Sequence, residues 1–150
     1  MSLEENKAIV RHMVEAFNKH DVALLDEFIA PDYFDHRHQL RGLESYKQFL
    51  TTFFKGFPDY HETIEDITAE RDKVWIREKV TGTHTGDYLG IAPTGTKIAV
   101  TSVVILRIVN GKVAEWREFA DFPSLLNVYK QLGVIEYTEK GKKLFPEDVS

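Results

Sequence analysis

The sequence predicts an α+β fold: helices first, a curved antiparallel meander after them, and one closing helix. Three observations carry this. Apolar residues recur at helical spacing over residues 3–18 and again over 43–55. Four runs rich in β-branched and aromatic residues then follow between Thr63 and Ala120. Asn110-Gly111 separates the last two runs, and that dipeptide is a strong hairpin signal because both residues tolerate positive φ. Helices grouped before a meander pack on one face of the sheet.

Each element has a local reason. Ser2 with Glu5 forms a capping box, and Ile9, Val10, Met13, Val14 and Phe17 follow on one stripe, which places a helix at 3–18. Asp21 caps a second, short helix through Leu24, Leu25 and Phe28, stopped by Pro31. Tyr33 to His36 is a short extended piece. Leu43, Tyr46, Phe49, Leu50, Phe53 and Phe54 mark a third helix to about Lys55, ended by Gly56 and Pro58. Strands are expected at Thr63–Ala69, Val74–Thr83, Lys97–Val109 and Lys112–Ala120, with a turn at 70–73 and a loop at 86–96. The strand at 98–109 is apolar on both alternating faces, which predicts cover on both sides and a homodimer through the outer one. Pro123 suits the first turn of the last helix, whose stripe is Leu125, Leu126, Tyr129 and Leu132, and Gly133 ends it. One domain is therefore expected over 1–133, with a polar tail at 134–150.

Composition narrows the function. The chain has 150 residues, 43% hydrophobic and 29% charged, and a formal charge of −5. That balance suits one packed core and argues against nucleic acid or an anionic membrane as partner. Cysteine is absent, which removes disulfides, zinc–thiolate sites and thiol nucleophiles. No apolar run reaches the roughly 18 residues that span a bilayer, and the first residues lack signal-peptide character, so a cytoplasmic location is expected. Gly86, Gly90 and Gly95 make no phosphate loop, since no Lys-Ser/Thr pair follows. Helices laid across a curled sheet leave a cavity between them, the usual place for a small molecule.

Ordered pieces of the sequence carry a resemblance. They are Ala30-Pro31-Asp32-Tyr33 with His36, Phe57-Pro58-Asp59, Gly82-Thr83-His84-Thr85-Gly86 and Gly90-Ile91-Ala92-Pro93-Thr94-Gly95. Arg107 to Lys112, Glu115-Trp116 with Asp121, and Gln131-Leu132-Gly133 complete the set. In these the chain resembles the SnoaL-like polyketide cyclases, or ester cyclases, of the nuclear transport factor 2-like superfamily. The resemblance implies a cone-shaped α+β barrel with an apolar pocket, a homodimer, and ring closure of a small apolar carbonyl compound by intramolecular aldol condensation. It implies no cofactor, no metal and no lysine imine. An aspartate near the end of the last long strand is the implied general acid/base, and the matching residue is Asp121. The superfamily also houses isomerases, dehydratases, epoxide hydrolases and non-catalytic binding modules.

Aldol closure removes a proton beside one carbonyl and delivers one to the new alkoxide, and a single buried carboxyl group can do both. Asp121 suits that role, with Trp116, Phe119 and Phe122 as local lining, but just before Pro123 it equally suits an exposed helix cap. Parity sharpens the choice: Trp116 and Glu118 share one strand face, and Arg117, Phe119 and Asp121 the other, unless a bulge intervenes. His36 either relays a proton or holds a substrate carbonyl, or else bonds a backbone carbonyl at a strand end. His36 and His38 at strand spacing, with His61, His84 or Asp59, are weak evidence for a metal, and none is expected. His84 either orients substrate or ties the glycine loop. Arg77 either stabilises an oxyanion or pairs with Glu115 or Glu118. Tyr33, Phe53, Trp116 and Phe119 are the expected substrate contacts.

Overall fold

The computed structural model describes residues 2–136, 138 and 140. Most of the expected tail therefore lies outside the described residues. Helix α1 (Leu3–Asn18) begins at the capping box: Ser2 Oγ accepts from Glu5 N–H, and Glu5 Oε2 accepts from Ser2 N–H. A 3-10 turn (Val22–Glu27) capped by Asp21 replaces the short second α-helix and leads into strand β1 (Ile29–Asp35). Next come the two-residue strand β2 (Leu40–Arg41) and helix α2 (Leu43–Gly56). The meander is β3 (His61–Glu70), β4 (Lys73–Thr83), β5 (Lys97–Val109) and β6 (Lys112–Ala120), closed by helix α3 (Phe122–Gln131).

The sheet runs β2-β1-β6-β5-β4-β3. Its neighbours are antiparallel except β1 and β6, which run parallel, so the all-antiparallel sheet expected from sequence is corrected at this one joint. The reason is connective: β1 returns to the sheet from the helical layer beside α1, not through a hairpin, so nothing forces it to run against β6. Asn110 and Gly111 have φ of 50° and 77°, as the tight β5–β6 turn requires.

Bulges within the meander bend the sheet, and a further register slip lies between Ile29 and Phe34 on the β1–β6 ladder. On β3 the register slips between Ile64 and Asp66, so Glu62 and Ile64 face inward before the slip and Ile67 and Ala69 after it. A second slip falls between Arg107 and Ile108 on the β5–β6 ladder. The helices cover the concave face. Val10, Met13 and Phe17 of α1 pack there with Ile76, Val104, Leu106 and Trp116 of the sheet. The opposite, convex face of the chain is open: Trp75 is 46% exposed and Phe119 61%. No helix among the described residues is long and apolar enough to cross a membrane.

Candidate active site

Between α2, α3 and the concave face lies a cavity of about 180 Å³. Phe49, Leu50 and Phe53 of α2, Leu125 and Val128 of α3 with Leu132 just after it, and Val80, Ile98, Val100 and Trp116 of the sheet make its wall mostly apolar. Its position follows from local constraints. The N–H groups of Thr85 and Gly86 both donate to the Gly56 carbonyl, which binds the 84–96 loop to the end of α2. A Cβ at Gly86 would collide with the Lys55 carbonyl oxygen, so only glycine permits this approach.

Polar groups break the apolar wall at two places. At the β1 end, Asp35 is buried and arranges the turn that follows it. Its Oδ1 accepts from the N–H groups of Arg37 (2.9 Å) and His38 (3.2 Å), and its Oδ2 lies 2.8 Å from His38 Nδ1. The His38 ring also rests on Phe49, 4.5 Å between centroids. A carboxylate that engages Nδ1 orients an imidazole and leaves Nε2 outside the pair. Beside this dyad, Arg37 pairs with Glu118 at 2.8 Å, and all four residues line the cavity.

The second place is the floor. Glu62 on β3 lines the cavity, and Glu78 on β4 lies diagonal to it on the same face. Both are buried. Burial raises the Glu62 carboxyl to about 7, against the pull of the Tyr60 and Glu78 groups beside it. Burial, then the neighbouring Glu62 and Glu118, pushes Glu78 well above the ordinary carboxylate range.

The residues singled out from sequence fare unevenly. Trp116 and Phe53 line the cavity. Tyr33 is fully buried behind it, its ring 4.8 Å from Tyr46. Asp121 is exposed and caps α3, its side chain accepting from Ser124 N–H, and it is not part of the cavity wall. The ladder from Ser102↔Ala120 to Arg107↔Glu115 contains no slip, so Glu118 and not Asp121 shares the Trp116 face. Replacement Asp121→Ala is expected to lower stability by about 1 kcal/mol, as loss of a cap does, read from urea midpoints.

His36 faces away from the cavity. It lies edge-on to Phe34 and 3.5 Å from Glu115, too far for a strong bond, while alternation along β1 gives the inward place to Asp35. His84 is fully buried, stacked on Phe57. Its Nδ1 contacts Thr94 Oγ1 at 2.9 Å and accepts from Thr94 N–H at 3.3 Å, so it ties the loop and does not face the cavity. Arg77 lies on the convex face, half exposed, 3.9 Å from Glu65; Glu115 and Glu118 pair with Arg107 and Arg37 instead. Phe119 is on the same convex face, by parity with Arg77 and Val103. Among the described residues, no group of three or more His, Asp or Glu side chains is placed to hold a metal ion.

Sequence reading missed Asp35, His38, Glu118, Glu62 and Glu78 as site residues. For Glu118 the signal was present, in its parity with Trp116. For Glu62 and Glu78 it was not, because their meeting depends on the β3–β4 register.

A helical layer over a curved sheet with a cavity between them is the architecture of the SnoaL-like cyclases. The chain belongs to the SnoaL-like polyketide cyclase family, whose model matches residues 7–132. It is 33% identical over 145 residues to aklanonic acid methyl ester cyclase DauD of Streptomyces sp. (strain C5), covering 92% of this chain and 88% of that one. It is 33% identical over 132 residues to aklanonic acid methyl ester cyclase DnrD of Streptomyces peucetius, covering 83% and 88%. Among solved structures, TsrD from Streptomyces laurentii superposes with a TM-score of 0.78 at 26% identity, over 90% of this chain and 99% of that chain.

Proposed function

We propose that this protein closes a ring in a polyketide-derived ester by the carbon–carbon bond-forming step of an intramolecular aldol condensation, with no loss of water and without a cofactor. The observation that carries the reading is the Asp35–His38 dyad on the wall of an apolar cavity, in a chain whose relatives are methyl ester cyclases. His38 Nε2 takes the proton from the carbon beside one carbonyl. The resulting enolate carbon bonds to a second carbonyl carbon, whose oxygen becomes an alkoxide. That alkoxide takes the proton back from His38, so the product is an isomer of the substrate. Asp35 holds the ring in one orientation throughout and stabilises the imidazolium that forms transiently. The Arg37 guanidinium, fixed by Glu118, supplies positive charge at the rim where the enolate develops. The aromatic wall keeps water from the enolate.

The direct test is incubation of the purified protein with aklanonic acid methyl ester, the compound named for two relatives. The expected product has unchanged mass and one ring more. No conversion of this ester or of nogalonic acid methyl ester, named for a further relative, would overturn the reading. A product of unchanged mass without a new ring would move the chain to the isomerases. The mechanism gives Asp121 no proton to carry, so Asp121→Ala retains ring closure.

The convex face supports a homodimer. Trp75, Val103 and Phe119 are exposed there, and an apolar sheet face of this kind is ordinarily covered. Sedimentation is expected to give a dimer at micromolar concentration, and Phe119→Lys a monomer.

A further inference from the structure

A seam of polar groups on the concave face reaches the cavity at Glu62 and Glu118, and the aldol reading uses only Glu118 of them. Across four strands run Glu62, Glu78, Ser102 and Glu118, in diagonal or directly opposed register on the concave face. Glu62, Glu78 and Ser102 are 3%, 0% and 1% exposed. Among the described residues, Glu62 Oε2, both Glu78 carboxyl oxygens and Ser102 Oγ have no hydrogen-bond partner. Leaving buried polar atoms unpaired is costly, and Glu62, the one of these three residues that lines the cavity, is where a polar guest relieves it.

The charges around this seam decide what guest it takes. Arg37 is the cation at the cavity rim, and it is engaged by Glu118. Asp35 and its partner His38 face the same space from the turn after β1, and the Tyr46 and Tyr60 phenols from α2 and the β3 approach. On the far side of Glu62, α1 presents Arg11 and Glu15 to a groove outside the cavity, next to His61. Two carboxyl groups side by side without their own cation do not both ionise. Glu62 is also fixed in place: its N–H donates to Asn18 Oδ1 at 2.7 Å, and its carbonyl accepts from Asn18 Nδ2 at 2.9 Å.

We propose that Glu62, in its neutral form, donates a hydrogen bond to an uncharged carbonyl or phenol oxygen of the ligand, and that the carboxyl seam turns away ligands bearing a carboxylate. This rests on the cavity being the substrate site. It makes Glu62 a specificity-determining residue, selecting an ester or ketone over the free acid. Donation ends when Glu62 loses its proton, and the carboxyl is raised to about 7 by its burial, so affinity for a neutral ligand declines between about pH 6 and 8.5.

The test uses two probes of nearly equal shape, 2-acetonaphthone (neutral) and 2-naphthoate (anionic), with Trp116 in the cavity wall as the fluorescent reporter. The wild-type protein at pH 6 is expected to bind the ketone about tenfold more tightly than the carboxylate. Ketone affinity then falls severalfold by pH 8.5. Imidazoles titrate in this range too, so Glu62→Gln separates the causes: it keeps a neutral donor and is expected to bind the ketone equally at both pH values. Glu62→Leu binds the ketone weakly throughout. Equal affinity for the two probes, or an unchanged pH profile in Glu62→Gln, overturns this inference and leaves the cyclase reading standing. Failure of the wild-type protein to bind either probe overturns both.

Discussion

Replacing His38 by Gln is expected to lower kcat for ring closure by about 10²- to 10⁴-fold, the range that a positioned general base contributes. Gln keeps the bulk against Phe49 and a donor toward Asp35, so the turn at residues 36–39 survives and binding of neutral aromatic probes changes little. Asp35→Asn separates orientation from protonation. The amide retains an acceptor for the Arg37 and His38 N–H groups but no longer matches an Nδ1–H donor with a charge. Its kcat is expected to fall as well, with KM nearly unchanged. Single-turnover conversion of the ester, followed by chromatography, checks both variants. Wild-type turnover in His38→Gln would remove the dyad from the mechanism and leave Glu118 as the base facing the cavity.

The largest effect on stability is expected at Phe17. Its side chain is 1% exposed and meets two cavity residues edge-on, Tyr46 and Trp116, each with centroids 6.2 Å away. It thus joins α1 to α2 and β6 at once. Phe17→Ala removes that contact area and leaves a void that three elements cannot close together. A cost of about 3–5 kcal/mol is expected, a large part of the roughly 5–15 kcal/mol that holds a domain folded. Urea denaturation measures it. Because the void opens behind the Trp116 wall, weaker binding of flat aromatic probes should accompany the loss of stability.

Local chemistry made much of the fold legible. The α1 capping box, the Asn110-Gly111 turn, the two long strands that it joins, and Pro123 at the start of α3 all depend on neighbours within a few residues. Short-range rules reach that far. The parallel joint of β1 with β6 was not legible, because strand neighbours distant in sequence are chosen by the packing of the helical layer.

The site was legible only where parity alone decides. Trp116 faces inward on the part of β6 that alternates without interruption, Glu115 to Ala120, and the same alternation carries Glu118 in and leaves Asp121 at the strand's exit, where it caps α3. His36 and His38 look alike in sequence. A turn held by Asp35, and not strand geometry, brings His38 to the cavity.

By itself the sequence determined the α+β order of elements, the family, and the apolar and aromatic residues available for a wall. Tertiary structure alone decided which acids meet. Glu62 and Glu78 come from different strands, and they share a buried face only because the β3 slip at Ile64/Asp66 falls after Glu62 and leaves its pairing with β4 intact. A side chain's chemistry is written in its own residue, whereas its solvation and its neighbours belong to the register of strands far apart in the chain.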